Sequence, residues 1–168
     1  MKDALEKLYR EHRQGLYSYA LSLTGSNQMA EDAIQNGFLG LVKNQRAWNG
    51  NCENQVAYLF KSVRNAATDL GRTVQRQNAL SQTLFETFGE SGQSGEPMEH
   101  ALTKERDAIL RQAIDQLDEK DQEAVVLKLF GGLTFEQAGE VANASPKTIA
   151  TRYRRALKKL ENQLKGIL

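Results

Sequence analysis

The stretch "FEQAGEVANASPKTIATRYRRA", residues 135–156, decides what kind of chain this is. Small residues fill its first half, Ser145-Pro146 divides it, and Arg152, Arg154 and Arg155 crowd its end. Ser145 can cap a helix through its hydroxyl, and Pro146 at the first helical position loses nothing by lacking an N–H. From there Ile149, Tyr153, Ala156, Leu157, Leu160 and Leu164 recur at helical steps and form one apolar stripe. Thr148, Thr151, Arg152 and Arg155 share a different face, flanked by Lys147, Arg154 and Lys158. Just upstream, Thr134 and Gln137 have the spacing of a capping box, which predicts a helix over 134–142. The intervening Asn143-Ala144-Ser145 is a turn of the length a helix-turn-helix uses. A helix in the major groove shows its N-terminal residues to base edges while flanking cations pair with phosphates. Arginine donates bidentately to guanine, and threonine serves several base edges. The competing reading is a solvated basic face on a terminal helix.

Working outward, the rest of the chain also has helical spacing, interrupted by only two prolines, Pro97 and Pro146. Leu5, Leu8, Tyr9, His12, Leu16, Tyr19, Ala20 and Leu23 mark a first helix that ends at "TGSN" (24–27). A second is expected over 28–45, with Met29, Ala33, Ile34, Phe38, Leu41 and Val42 inward. After the turn-rich "WNGNCEN" (48–54), a third covers 55–75, with Tyr58, Leu59, Val63, Ala66, Ala67 and Leu70 inward. Residues 77–100 are rich in Gly, Ser and Glu and read as a linker, with a short helix around Leu80–Phe88 before it. Helices resume over 101–116, 119–130, 134–142 and 146–165. The fold class expected is all-α: two small helical domains, 1–76 and 101–168, joined by a flexible acidic linker, 77–100.

The formal net charge is only +1, but it is unevenly spread. Seven basic residues stand against Glu161 between Lys147 and Lys165, whereas eleven acidic residues face four basic ones between Glu86 and Glu123. A basic end behind an acidic middle suits a local footprint on a polyanion, with weak DNA affinity for the chain alone. The single cysteine, Cys52, excludes an internal disulfide and fits a reducing compartment. No run approaches the length of a membrane span and the N-terminus has no signal-peptide core, so a cytoplasmic location is expected. His12, His100 and Cys52 lack metal-ligand spacing, and there is no phosphate-binding loop or nucleophile–base pair. No metal, cofactor or enzymatic activity is expected.

"LDEKDQEAVVLKLFGGLTFEQAGEVANASPKTIATRYRRALKKL" (117–160) resembles region 4 of bacterial RNA polymerase sigma factors of the extracytoplasmic-function (ECF) group. "AEDAIQNGFLGLVKN" (30–44) resembles the same group's region 2.2 at Asp32, Gln35 and Phe38, and "AYLFKSVRNAATDLGR" (57–72) its region 2.3–2.4 at Arg64, Asn65 and Asp69. The resemblance runs in the family's order and covers nearly everything but the linker. It implies a factor that binds core RNA polymerase and reads promoter DNA at the −35 and −10 elements. Polymerase binding then falls to Asp32, Gln35, Asn36, Leu39 and Lys43, which dock on the clamp helices of the largest subunit. The flap region is a further implied contact, and an anti-sigma factor an implied regulator. Contact with and melting of the −10 element falls to Lys61, Arg64, Asn65, Arg72 and Arg76, with Asn49, Asn51 and Asn54 from the preceding loop. Trp48 in that loop is either a stacking platform or a core plug. Reading of the −35 element falls to Lys147, Thr148, Thr151, Arg152, Arg154, Arg155 and Lys158.

The sequence departs from the family pattern in places. Asn36 stands where Glu is usual, which retunes the polymerase contact. Ala138, Gly139, Ala142, Asn143 and Ala144 replace larger or differently shaped residues, and Gly139 inside a helix costs up to ~1 kcal/mol relative to Ala. A hairpin less stable than usual is therefore expected, with Asn143 taking the left-handed turn conformation. Two other classes stay open at this point: a stand-alone helix-turn-helix regulator, and a sigma-like interaction module without promoter recognition.

Overall fold

The computed structural model describes residues 2–44, 52–78 and 98–166, with the side chains of 2, 52–54, 72–78 and 98–104 left aside. The expected residues Asn49, Asn51 and Trp48, the short helix around 80–88 and most of the linker lie outside the described residues. Among the described residues seven α-helices follow one another: α1 (Lys2–Thr24), α2 (Asn27–Lys43), α3 (Cys52–Asn78), α4 (Met98–Asp115), α5 (Glu119–Val125), α6 (Phe135–Ala142) and α7 (Pro146–Lys165). A π-helical turn, Val126–Phe130, continues α5.

The first unit is a three-helix layer. Gly25, at φ +70°, ends α1 where a side chain would be strained, and the Ser26 hydroxyl then accepts the Met29 N–H at 3.4 Å to open α2. α2 lies against α3 closely because Gly37 has no side chain: a Cβ there would sit 2.7 Å from a Val63 methyl. Leu16, Tyr19, Leu41, Leu59, Phe60 and Val63 form the buried centre of this unit. Val42, expected inward, lies at the surface instead, as does Tyr9 of the first stripe. Both stand at the edge of their stripes, and Tyr9 meets Phe38 edge-on at 5.3 Å along the rim of a groove. Phe60, outside the expected inward set, is fully buried.

In the second unit the single helix expected over 119–130 is broken. α5 stops at Val125 and the chain widens into the π turn, where the Gly131 N–H donates to the carbonyl of Val126, five residues back, at 3.0 Å. The capping box at α6 is present in full: Gln137 N–H donates to Thr134 Oγ1 at 3.1 Å, and Thr134 N–H to Gln137 Oε1 at 2.9 Å. Asn143 takes the left-handed conformation, φ 57°, as the turn requires. Gly139 has a role that helix propensity does not show: a Cβ there would lie 2.5 Å from the Ala144 carbonyl oxygen. The small residues thus let the turn fold back tightly on α6. In α7 the Ile149, Ala156 and Leu160 side chains are buried, while Leu157 is turned outward.

The two units are packed on each other. α3 lies against α6, and α1 against the π turn. Gly15 of α1 permits that approach, since a Cβ would meet the Phe130 carbonyl oxygen at 2.6 Å. Gly131 lies beside the Phe60 ring in the same way.

Candidate nucleic-acid interface

The face of α7 is built from its cap. Ser145 Oγ accepts the Thr148 N–H at 3.1 Å and lies 2.8 Å from Thr148 Oγ1. Tyr153 meets Phe135 edge-on at 5.9 Å, and the buried Ile149 turns the opposite side of the helix inward. Outward stand Lys147, Thr151, Arg154 and Lys158, with Thr148 and Arg152 half exposed beside them. The Thr151 hydroxyl donates to the Lys147 carbonyl at 3.0 Å and Arg154 Nε to the Ala150 carbonyl at 3.4 Å, both within the helix. No carboxylate neutralises Lys147, Arg152, Arg154 or Lys158 among the described residues.

Arg155 requires a correction. Expected to read bases beside Arg152, it is bound instead to Asp121 of α5: Nε lies 2.9 Å from Oδ2 and Nη2 2.6 Å from Oδ1. Lys159 Nζ adds a contact to Asp121 Oδ2 at 3.1 Å and another to Asp118 Oδ2 at 3.1 Å. The Asp121 side chain is 0% exposed. Hydrogen bonding from Arg155 outweighs burial and, with Lys159, holds the Asp121 carboxyl below its ordinary pKa. A buried carboxylate so placed needs these partners, which explains why the Arg155 guanidinium is held against α5 although its side chain stays exposed.

The third-helix residues divide. Lys61 and Asn65 are exposed, whereas the side chains of Asn54, Arg72 and Arg76 on α3 lie outside the described residues. Arg64, expected to face nucleic acid, is half buried, with Nε 2.7 Å from Glu123 Oε1. The Tyr19 hydroxyl donates to the same oxygen at 2.6 Å. Burial opposes the charge on Arg64, but the hydrogen bond and charge of Glu123 prevail and raise its pKa. Burial, then Glu123, push the Tyr19 hydroxyl well above its ordinary range, so it stays a donor. On α2, Asp32, Gln35, Asn36, Leu39 and Lys43 are all exposed on one side, as expected. Leu39, at 54% exposure, and Gln35 line an open groove together with Leu129 and Phe130.

Two family models match this architecture in order: "Sigma-70 region 2" over residues 8–77 and "Sigma-70, region 4" over residues 107–160. Together they take in most of the chain. The chain belongs to the extracytoplasmic-function group of the sigma-70 family. Relatives of this sigma factor include the ECF RNA polymerase sigma factor SigX of Bacillus subtilis, 22% identical over 98% of this chain and 85% of the relative. SigL of Mycobacterium tuberculosis is 25% identical over 97% of this chain and 90% of its own length. The fold is that of the sigma factor RpoE of Bartonella quintana, solved with the anti-sigma factor NepR, at a TM-score of 0.70 and 24% identity over 98% of both chains. CnrH, solved with the cytosolic domain of CnrY, gives 0.66 at 21% identity, covering 99% of this chain and 90% of its own. As a sigma factor the protein serves promoter-specific initiation of transcription, binding core RNA polymerase and promoter DNA. No helix among its described residues is long and apolar enough to cross a membrane.

Two acidic residues of the sigma factor escaped the sequence reading. Asp121 and Glu123 lie in the acidic middle of the chain, where neither stands out by its charge alone. One signal was present: Leu117, Asp121, Ala124 and Val125 share a helical stripe, and the other three are apolar. A carboxylate inside such a stripe requires a cation, and α7 supplies two.

Proposed function

We propose that residues 1–76 bind core polymerase and engage the −10 element, that 101–168 read the −35 element, and that 77–100 join them. The observation that carries this reading is the row of unneutralised cations and hydroxyls on one face of α7, above a buried opposite face. Arg152 is the base-reading cation, Thr148 and Thr151 offer further edge contacts, and Lys147, Arg154 and Lys158 hold phosphates. Asp32, Gln35, Asn36, Leu39 and Lys43 meet the polymerase clamp helices, where an exposed leucine among polar groups suits an interface. Lys61 and Asn65 face the −10 element, with Asn49, Asn51, Asn54, Arg72 and Arg76 as further contacts. Arg64 joins them only after leaving Glu123, so engagement of the −10 element separates α3 from α5. The protein is a cytoplasmic, non-enzymatic factor without cofactor or metal. A polymerase-flap contact and an anti-sigma factor complete its partners, the latter seated between the two units.

In vitro transcription with purified core polymerase on genomic fragments tests the reading. Promoter-specific starts and co-purification with core are expected. A protein that gives neither would not be acting as proposed.

A further inference from the structure

Burial of Ile149, Ala156 and Leu160 sets which face of α7 turns inward but fixes its rotation less finely, because apolar contact is non-directional. A bidentate charge pair is directional. Asp121 receives Arg155 through Nε, at 3.1 and 2.9 Å from its two oxygens, and through Nη2 at 2.6 Å. It also receives Lys159, one turn further along, at 3.1 Å. A single buried carboxylate therefore grips α7 at two successive turns on one side. Arg152 lies one turn on the other side of Arg155 from Lys159, so a change of grip turns Arg152 with it. The Nε–Nη2 edge that Arg155 would offer to guanine is already occupied, although its side chain is 53% exposed and near the outward face.

We propose that Asp121 is a positioning residue for promoter reading: by holding Arg155 and Lys159 it sets the rotation of α7 and withdraws Arg155 from the bases, leaving discrimination to Arg152, Thr148 and Thr151. The proposal rests on the −35 reading above. Asp121 is thereby a determinant of sequence preference although it touches no DNA. Removing its charge returns Arg155 to the groove, where it selects a base of its own.

The test uses full-length protein with core polymerase and a promoter library randomised across the −35 element, scored by the transcripts recovered. Wild type, Arg155→Ala, Asp121→Asn and the double variant Asp121→Asn/Arg155→Ala are compared, with folding checked by circular dichroism. Arg155→Ala leaves Lys159 on Asp121 to hold the rotation of α7, and is expected to keep the wild-type base preferences while melting earlier. Asp121→Asn is expected to gain a preference of about tenfold at one base pair, as a new arginine–guanine pair gives, and the double variant to lose it. If Asp121→Asn does not fold, Asp121→Glu keeps the charge but moves it outward, and a shifted preference profile is then expected. Loss of preference at a single base pair in Arg155→Ala, with the other positions unchanged, would overturn the proposal, since Arg155 would then read DNA directly. So would a wild-type profile in folded Asp121→Asn or Asp121→Glu. Absence of promoter-specific starts from wild type itself would instead bring down the −35 reading, and the proposal with it.

Discussion

Gly139 shows how one side chain can reverse an expectation drawn from propensity. In an exposed helix, Gly→Ala adds up to ~1 kcal/mol of stability. Here the added methyl would meet the Ala144 carbonyl oxygen at 2.5 Å, and that oxygen belongs to the turn itself. Gly139→Ala is accordingly expected to lower the melting temperature; a rise would mean the turn relaxes freely. Asp121 gives a second residue-scale prediction, with its sign set by the direction of the shift. Its folded pKa lies below the ordinary value of 3.8, so its pairing contributes stability above that value and loses it as pH falls through the lower folded one. Between about pH 5 and about pH 2, wild type should therefore lose more stability than Asp121→Asn in denaturant melts. Equal losses would show that the pair contributes nothing measurable. Neither effect was legible in the sequence. Gly139 looked like a defect because its neighbour across the turn is not its neighbour in the chain, and Asp121 did not stand out because its cations lie 34 and 38 residues away.

Elements were legible where local rules decide them. The cap at Ser145, the proline after it and the box at Thr134–Gln137 all act within four residues, and α7 begins and α6 is capped where those signals stand. Thr134→Ala, which removes one acceptor of the box, is expected to cost ~1 kcal/mol in chemical denaturation. An unchanged midpoint would show the N-terminus of α6 to be held by its packing alone. The π turn was not legible. Nothing in "VVLKLF" distinguishes a π turn from continued α-helix, because both bury the Val126 and Leu127 side chains. What separates them is the contact with α1, where the Phe130 carbonyl lies against Gly15. The site followed the same division. Exposure of the α2 face and of most of the α7 face followed from periodicity, whereas the pairing of Arg64 and Arg155 depended on elements far away in the chain.

At the scale of the molecule, the two units share a boundary where close backbone approach and charge act together. Gly15 admits a backbone contact that a larger residue would block, Gly131 lies beside the Phe60 ring, and Glu123 joins the Tyr19 hydroxyl to the Arg64 guanidinium across the same boundary. These contributions are separable by mutation. Gly15→Ala places a methyl 2.6 Å from the Phe130 carbonyl oxygen and 3.0 Å from Gly131 Cα, and neither backbone atom can rotate away. Within α1 the same change favours helix, by up to ~1 kcal/mol. Helical content should therefore hold while the units move apart, so the radius of gyration from small-angle scattering should rise with little change in circular dichroism. Glu123→Gln leaves the backbone approach intact and weakens only the charge on the shared oxygen, so its expansion should be smaller than that of Gly15→Ala. An unexpanded Gly15→Ala protein, more stable than wild type, would mean that the boundary yields to a methyl group and that the close contact at Gly15 does not hold the units together.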